Sequence, residues 1–315
     1  MRLVRGLYNA GRPAEGTVLT IGNFDGLHRG HQALIGATRE HARRLGAEAV
    51  ALSFDPTARE FFQPEGAPGR IGTLRGQLRL FAEWGLDRVI VQRFGRRFAG
   101  WEAEPFVLQG LVSQLGLRGI VVGDDFRFGA RRSGDLDLLR RLGAAHGFFV
   151  DVIGGVCFEG LRCSSTAVRS ALAEPDLETA ERLLGRPYTV VGRVRGGLRL
   201  GRKLGMPTAN IVLRRRPALR LGVYAVTARV LGAVGAPEWR GVANAGVRPT
   251  LGLRQCLLET HLMEASPDLY GQTLEVRLRH FLRPEARFES VDALAAQMHR
   301  DKADAMAFFR VATDN

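Results

Sequence analysis

Lysine is nearly missing from this chain: Lys203 and Lys302 are the only two among 45 cationic side chains. Arginine therefore supplies almost all of the formal net charge of +13, and it is scattered rather than gathered on one stretch. A nucleic-acid surface calls for a basic stripe interleaved with aromatics, and none is visible. The one dense run, Arg214-Arg215-Arg216, reads as a solvated loop. Abundant Ala, Gly and Leu accompany the arginine, so the charge reads as compositional bias, with anionic small-molecule ligands as the other reading. Cysteine is scarce as well. Cys157, Cys163 and Cys256 are odd in number and lack metal-ligand spacing, which excludes a disulfide framework and fits a reducing cytoplasm. No apolar run nears the ~20 residues of a membrane span, and the start, Met1 to Gly6, lacks a signal-peptide core. These absences predict a cytoplasmic chain with no nucleic-acid or membrane partner; a monomer or a weak homo-oligomer is the expectation for its assembly.

What is present is a chain of 315 residues, long enough for two cores. Its first ~180 residues alternate strand-like and helix-like patterns, as parallel α/β domains do. Strands are expected at 17–20, 47–54, 88–92, 119–123 and 148–153. Helices are expected at 32–45, 73–84, 104–115 and 135–146. Two short helices follow between Ser165 and Leu184, broken near Glu174-Pro175-Asp176, where Pro175 cannot continue a helix and Asp176 can cap the next. Gly185-Arg186-Pro187 reads as the boundary, giving domains 1–184 and 185–315. Beyond it the period drops from 3.6 to 2. Val223 to Val230 alternates, as do Leu274, Val276, Leu278, His280 and Leu282 against Glu275, Arg277, Arg279 and Phe281. Such runs between glycine turns predict a small antiparallel barrel, closed by a C-terminal helix from about Val291 to Phe309 with Ser290 as its cap.

The most informative segment runs from Ile21 to His31. Gly22, Asn23, Phe24, Asp25, Gly26 and Gly30 surround His28 and His31 between a strand and a helix. Glycines let backbone N–H groups approach a polyphosphate, and a helix N-terminus favours negative charge. Two histidines three apart can also be metal ligands or surface residues, but no Cys or carboxylate cluster completes a metal site. A second element is Gly123-Asp124-Asp125-Phe126-Arg127-Phe128-Gly129, which taken alone can be a plain acidic turn. A third is Cys163-Ser164-Ser165-Thr166-Ala167-Val168-Arg169. Its hydroxyls can simply cap a helix, or, with Arg169 one turn on, bind the β- and γ-phosphates of ATP.

The first string resembles the Gly-x-Phe-Asp-x-x-His-x-Gly-His signature of nucleotidylyltransferases. The three elements in order, with Ser53-Phe54-Asp55-Pro56 and Leu183 to Tyr188, resemble the adenylylating module of bacterial bifunctional riboflavin kinase/FAD synthetases. The second half matches independently. Gly201-Arg202-Lys203-Leu204-Gly205-Met206-Pro207-Thr208-Ala209-Asn210 resembles that family's kinase loop, and Gly241 to Thr250, Leu258-Glu259-Thr260-His261-Leu262 and Asp268 to Gly271 follow in family order.

The resemblance implies a Rossmann-like α/β nucleotidylyltransferase domain followed by an antiparallel β-barrel domain with a C-terminal helix. It implies ATP as co-substrate, riboflavin, FMN and FAD as substrates and products, and Mg²⁺ as metal, with Thr208 and Asn210 as its oxygen ligands. His28 and His31 are then expected to stabilise charge in adenylyl transfer, and Glu259 to act as base on the ribityl 5′-hydroxyl. Gly22, Asn23, Phe24, Asp25, Gly26, Gly30, Ser164, Ser165, Thr166, Arg169, Gly201, Lys203, Gly205 and Pro207 are expected at nucleotide or phosphate. Asp125, Phe126, Arg127, Phe128 and Arg248 are expected at flavin. Departures from the family pattern are Thr57-Ala58 for a usual His-Pro, Leu251 for Phe, and Met263-Glu264-Ala265 for Leu-Asp-Phe.

Overall fold

Side-chain patterning along 17–153 resolves into one parallel sheet in a computed structural model of the chain. The model describes residues 1–196, 205–232, 235–250 and 253–311, with side chains at all of these but 248–250 and 253–255. Two compact units result: Met1–Pro68 with Gln77–Ser164, and Gly69–Gly76 with Ser165–Asn315.

In the first unit, β1 (Arg2–Arg5), β2 (Thr17–Ile21), β3 (Glu48–Phe54), β4 (Arg88–Gln92), β5 (Leu117–Gly123) and β6 (Phe149–Ile153) pair in parallel, in the order β1-β4-β3-β2-β5-β6. Strand β2 is buried at every position, the continuous apolar run that a parallel sheet covered on both faces requires. The chain winds one way from β2 through β3 to β4 and the other way through β5 to β6. The C-terminal ends of β2 and β5 are therefore the switch point where ligands sit in such sheets. Helix α1 (Arg29–Leu45) follows β2 and stops at Gly46, whose φ of 59° is the left-handed turn that glycine tolerates.

Among the places where sequence expectation and structure part here, three bear on the surroundings of the sheet. The edge strand β1 was not expected, because four residues with one buried position give no period to read. The helix expected at 104–115 is a short α-turn, α2 (Ala103–Pro105), running into a π-helix at Phe106–Ser113. The third is α3 (Ala58–Phe62), inside the Thr57-Ala58 departure. There Thr57 Oγ1 accepts from the Glu60 N–H at 3.4 Å and the Glu60 carboxylate accepts from the Thr57 N–H at 2.8 Å, a reciprocal capping box.

In the second unit, helices α4 (Ser165–Ala173) and α5 (Leu177–Leu184) flank Pro175 as expected. Asp176 caps α5 by accepting from the Thr179 N–H at 2.9 Å. The strands β7 (Thr189–Arg195), β8 (Thr208–Leu213), β9 (Gly222–Val230), β10 (Trp239–Thr250), β11 (Leu253–Leu262) and β12 (Thr273–Pro284) close an antiparallel barrel in the order β8-β11-β10-β9-β12-β7. Residues 69–76 join this unit through Arg70, whose N–H donates to Arg216 O and whose carbonyl accepts from the Ala218 N–H, both at 2.8 Å.

The strict alternation expected along 274–282 is broken. Register shifts between Val223/Tyr224 and Ala225/Val226 put Leu278 opposite Val226 but Phe281 opposite Tyr224. Leu274, Val276 and Leu278 share a face with Val226, while Leu282 turns outward to the terminal helix, α6 (Val291–Val311). That helix starts where Ser290 Oγ accepts from the Ala293 N–H at 3.1 Å. It packs Ala305 and Phe309 against Val223, Ala225 and Val242.

Candidate functional site

Residues 22–31 leave β2 and turn into α1 in a loop with three left-handed backbones: Phe24 (φ 50°), Gly26 (φ 81°) and Leu27 (φ 47°). Phe24 and Leu27 pay for that conformation with complete burial of their side chains. His28 occupies the N-cap position of α1 without a capping hydrogen bond from its own side chain. A helix N-terminus favours negative charge, so the loop leads into an end that suits an anion. The rings of His28 and His31 stack with centroids 3.7 Å apart, and Phe24 meets His31 edge-on at 5.3 Å. Gly30 separates the two histidines for a steric reason: a Cβ there would lie 3.1 Å from the His28 ring and 3.3 Å from Cys163 O. Asp25 is buried, and Asn23 is exposed at the loop's tip. Gly22 donates its N–H to Leu52 O at 3.1 Å, anchoring the loop's start to β3.

Strand β5 pairs with β2, so its C-terminal loop emerges beside this one. Asp124, Asp125 and Arg127 are exposed there, and Phe126 stacks on Phe128 with centroids 5.4 Å apart. Phe128 belongs to the hydrophobic core, whereas Phe126 is only partly buried against it. The hydroxyl segment falls at the end of the first unit and the start of the second. Ser164 and Ser165 are half-buried, Thr166 is exposed, and Ser165 opens α4. One turn on, Arg169 donates its Nε–H to Gly69 O at 2.9 Å.

The barrel's register gathers the other group of residues. Glu259 on β11 lies directly opposite Asn210 on β8 and Asn244 on β10, and His261 lies opposite Thr208. Directly opposed residues of neighbouring strands point to one face. Thr208, Asn244, Glu259 and His261 accordingly floor a cavity of about 330 Å³, roofed by Phe288 and by Leu294 and Met298 of α6. One half of the α6 apolar stripe thus packs against the sheet and the other half covers a hole. Arg283 and Asp301 close the cavity's edge in a bidentate pair, both oxygens at 2.7 Å. Burial pushes the carboxyl of Glu285, also on this wall, above its usual range.

His261 donates Nδ1–H to Pro207 O at 3.0 Å, and burial pushes its pKa below the ordinary histidine value. Asn210 is buried, and among the described residues its Oδ1 has no hydrogen-bond partner. Thr208 and Asn210 also border a second cavity of about 60 Å³ with Pro207 and Leu269. Gly205 is left-handed at φ 73°. Gly201 and Lys203 lie outside the described residues, as does Leu251; Arg248 on β10 stands opposite Gln255 on β11, its side chain outside the described set.

Sequence reasoning missed Gln77, His261 as a cavity wall, and the Arg283–Asp301 pair. Asn244 and His261 lay inside quoted strings, but the register that sets them beside Glu259 cannot be read from one strand. Gln77 had no local signal at all.

Comparison with known proteins also divides the chain in two. The family model described as FAD synthetase matches residues 11–167, and that described as riboflavin kinase matches residues 184–309. The bifunctional riboflavin kinase/FMN adenylyltransferase of Escherichia coli is 48% identical over 311 residues, 98% of either chain. That of Haemophilus influenzae is 43% identical over 309 residues, covering 98% of this chain and 99% of its own. A solved structure from Streptococcus pneumoniae, named as a macrolide-efflux protein, is 26% identical with a TM-score of 0.77, covering 97% of this chain and 99% of its own. Among the described residues, no helix is long and apolar enough to cross a membrane.

Proposed function

This chain belongs to the bifunctional riboflavin kinase/FMN adenylyltransferase family, and on that premise we propose how its residues divide the two reactions. It phosphorylates riboflavin to FMN and adenylylates FMN to FAD. The adenylylating domain is 1–184 and the kinase domain 185–315. One observation supports the division above others: the stacked histidine pair and Glu259 belong to different compact units, each in its own polar setting.

In the kinase domain, riboflavin occupies the cavity under α6, whose apolar roof suits a flavin ring and whose polar floor suits a polyol chain. The Glu259 carboxylate accepts the 5′-hydroxyl proton as that oxygen attacks the γ-phosphorus of ATP, and ADP leaves. Thr208 and Asn210 are hard oxygen donors that fit Mg²⁺, and the orphaned Oδ1 of Asn210 supports the fit. Bound there, Mg²⁺ would neutralise phosphate charge. Gly201, Lys203, Gly205 and Pro207 belong to the phosphate loop, and Arg248 to flavin.

In the adenylylating domain, the phosphate of FMN attacks the α-phosphorus of ATP and pyrophosphate leaves. That nucleophile is already anionic near neutral pH, so catalysis rests on position and charge stabilisation. His28, His31 and the N-terminus of α1 serve the α-phosphate, with Gly22, Asn23, Phe24, Asp25, Gly26 and Gly30 shaping the loop. Ser164, Ser165, Thr166 and Arg169 serve the β- and γ-phosphates; Asp125, Phe126, Arg127 and Phe128 serve flavin. The chain works in the cytoplasm on these small molecules.

The test is to incubate the protein with riboflavin and Mg-ATP and separate flavins chromatographically over time. FMN followed by FAD is expected. Glu259→Gln should slow FMN formation by ~10²–10⁴ while leaving FMN-to-FAD conversion unchanged. Equal loss of both steps in a folded variant would refute the assignment.

A further inference from the structure

The helix α7 (Leu74–Glu83) touches the histidine loop at two points four residues apart, and neither point belongs to the nucleotide motifs. Gln77 is buried, and its amide Nε2 donates to Asn23 O at 2.9 Å, to Phe24 O at 3.3 Å and lies 3.2 Å from Ser53 Oγ. One turn on, the Phe81 ring meets Phe24 edge-on at 5.4 Å. Phe24 in turn contacts His31, and His31 stacks on His28. A run of contacts therefore links one face of α7 to both catalytic histidines.

The backbone explains why such a support is needed. Phe24 is a bulky residue in the left-handed region, a conformation that persists only where its surroundings over-determine it. Its carbonyl accepts from the Leu27 N–H at 3.2 Å, closing the turn, and Gln77 supplies a second donor to the same oxygen. Both Asn23 and Phe24 present carbonyls to the interior at this point, so only a donor can sit opposite them. A carboxylate would be repelled, and an apolar side chain would leave Asn23 O only the Ser53 hydroxyl at 3.4 Å and Phe24 O only the Leu27 N–H.

We propose that Gln77 is a positioning residue for FMN adenylylation, its amide holding the Asn23–Phe24 carbonyls so that the loop aims His28 and His31 at the α-phosphate. This rests on the reading of those histidines as the adenylylation residues. Gln77 is buried against the loop's backbone carbonyls, so its loss should act on turnover more than on binding. A misplacement near 1 Å can cost ~10²-fold in rate.

The experiment uses the full-length enzyme and measures both activities in Gln77→Met, Gln77→Glu and Gln77→Lys, with His31→Ala alongside. The Met and Glu variants are expected to lose ~10–100-fold in kcat for FAD formation. Their KM for ATP and for FMN should stay within about threefold, and their riboflavin kinase rate should match wild type. Lysine offers only donors at similar reach, so Gln77→Lys should recover most of kcat. Thermal melts establish folding, and the isosteric Glu variant stands in if Met does not fold. Wild-type kcat in the Met and Glu variants, or a loss that lysine does not restore, would overturn the proposal. If His31→Ala itself keeps wild-type FAD formation, the reading of the histidines fails instead.

Discussion

Gly30 shows at the scale of one residue how the histidine loop works. A methyl group there would press on the His28 ring and on Cys163 O at once, and a backbone carbonyl cannot step aside. Gly30→Ala is therefore expected to lower FAD formation at least ~10-fold by displacing the imidazole, with riboflavin phosphorylation unchanged. Steady-state assays of each half-reaction check this, and equal effects on both would contradict it. His28, Gly30 and His31 were legible in the sequence because ten adjacent positions spell one loop. Gln77 was not, since its partners lie 24 to 54 residues away and its place in an amphipathic helix looks like any polar residue. Thr57 lies between these cases. Thr-x-x-Glu is a readable cap, yet against the family pattern it stands out only as a departure.

Elements are where period-based reading both succeeded and stopped. The order of strands and helices in the first unit follows from apolar spacing, and the break between α4 and α5 follows from Pro175 and its capping neighbour Asp176. The bulges in β12 were invisible, because a one-residue shift leaves the composition of a strand intact while turning later side chains to the other face. Two predictions belong here. Asp301 is buried and holds Arg283 by two bonds, with Gln297 Nε2 donating to it at 2.9 Å. Asp301→Ala leaves that guanidinium without its carboxylate and should cost about 3 kcal/mol in stability, measured by denaturant titration, and raise KM for riboflavin. At the other helix, the Thr179 N–H, seconded by the Thr179 hydroxyl, holds the Asp176 carboxyl below its usual range. A lowered folded pKa means that this cap stabilises above the ordinary carboxylate range and weakens as pH falls through the folded value. The melting-temperature deficit of Asp176→Ala should therefore be full at neutral pH and shrink in acid; a deficit that grows in acid would contradict it.

At the scale of the whole molecule the claim is that two reactions run on two separate constellations in one chain. On the proposed division, adenylylation draws on a loop whose parts are adjacent in sequence, joined by the segments around Asp125 and Ser165. Phosphorylation draws on a row, Asn210–Glu259–Asn244, assembled across three strands. Glu259 was legible only through family resemblance; its neighbours needed the barrel's register. The most direct measurement follows riboflavin, FMN and FAD over time with Mg-ATP in His31→Ala, in Glu259→Gln and in an equimolar mixture of the two. The account predicts that His31→Ala accumulates FMN, that Glu259→Gln converts supplied FMN but not riboflavin, and that the mixture makes FAD from riboflavin. FAD formation from FMN lost in Glu259→Gln, or riboflavin phosphorylation lost in folded His31→Ala, would contradict it.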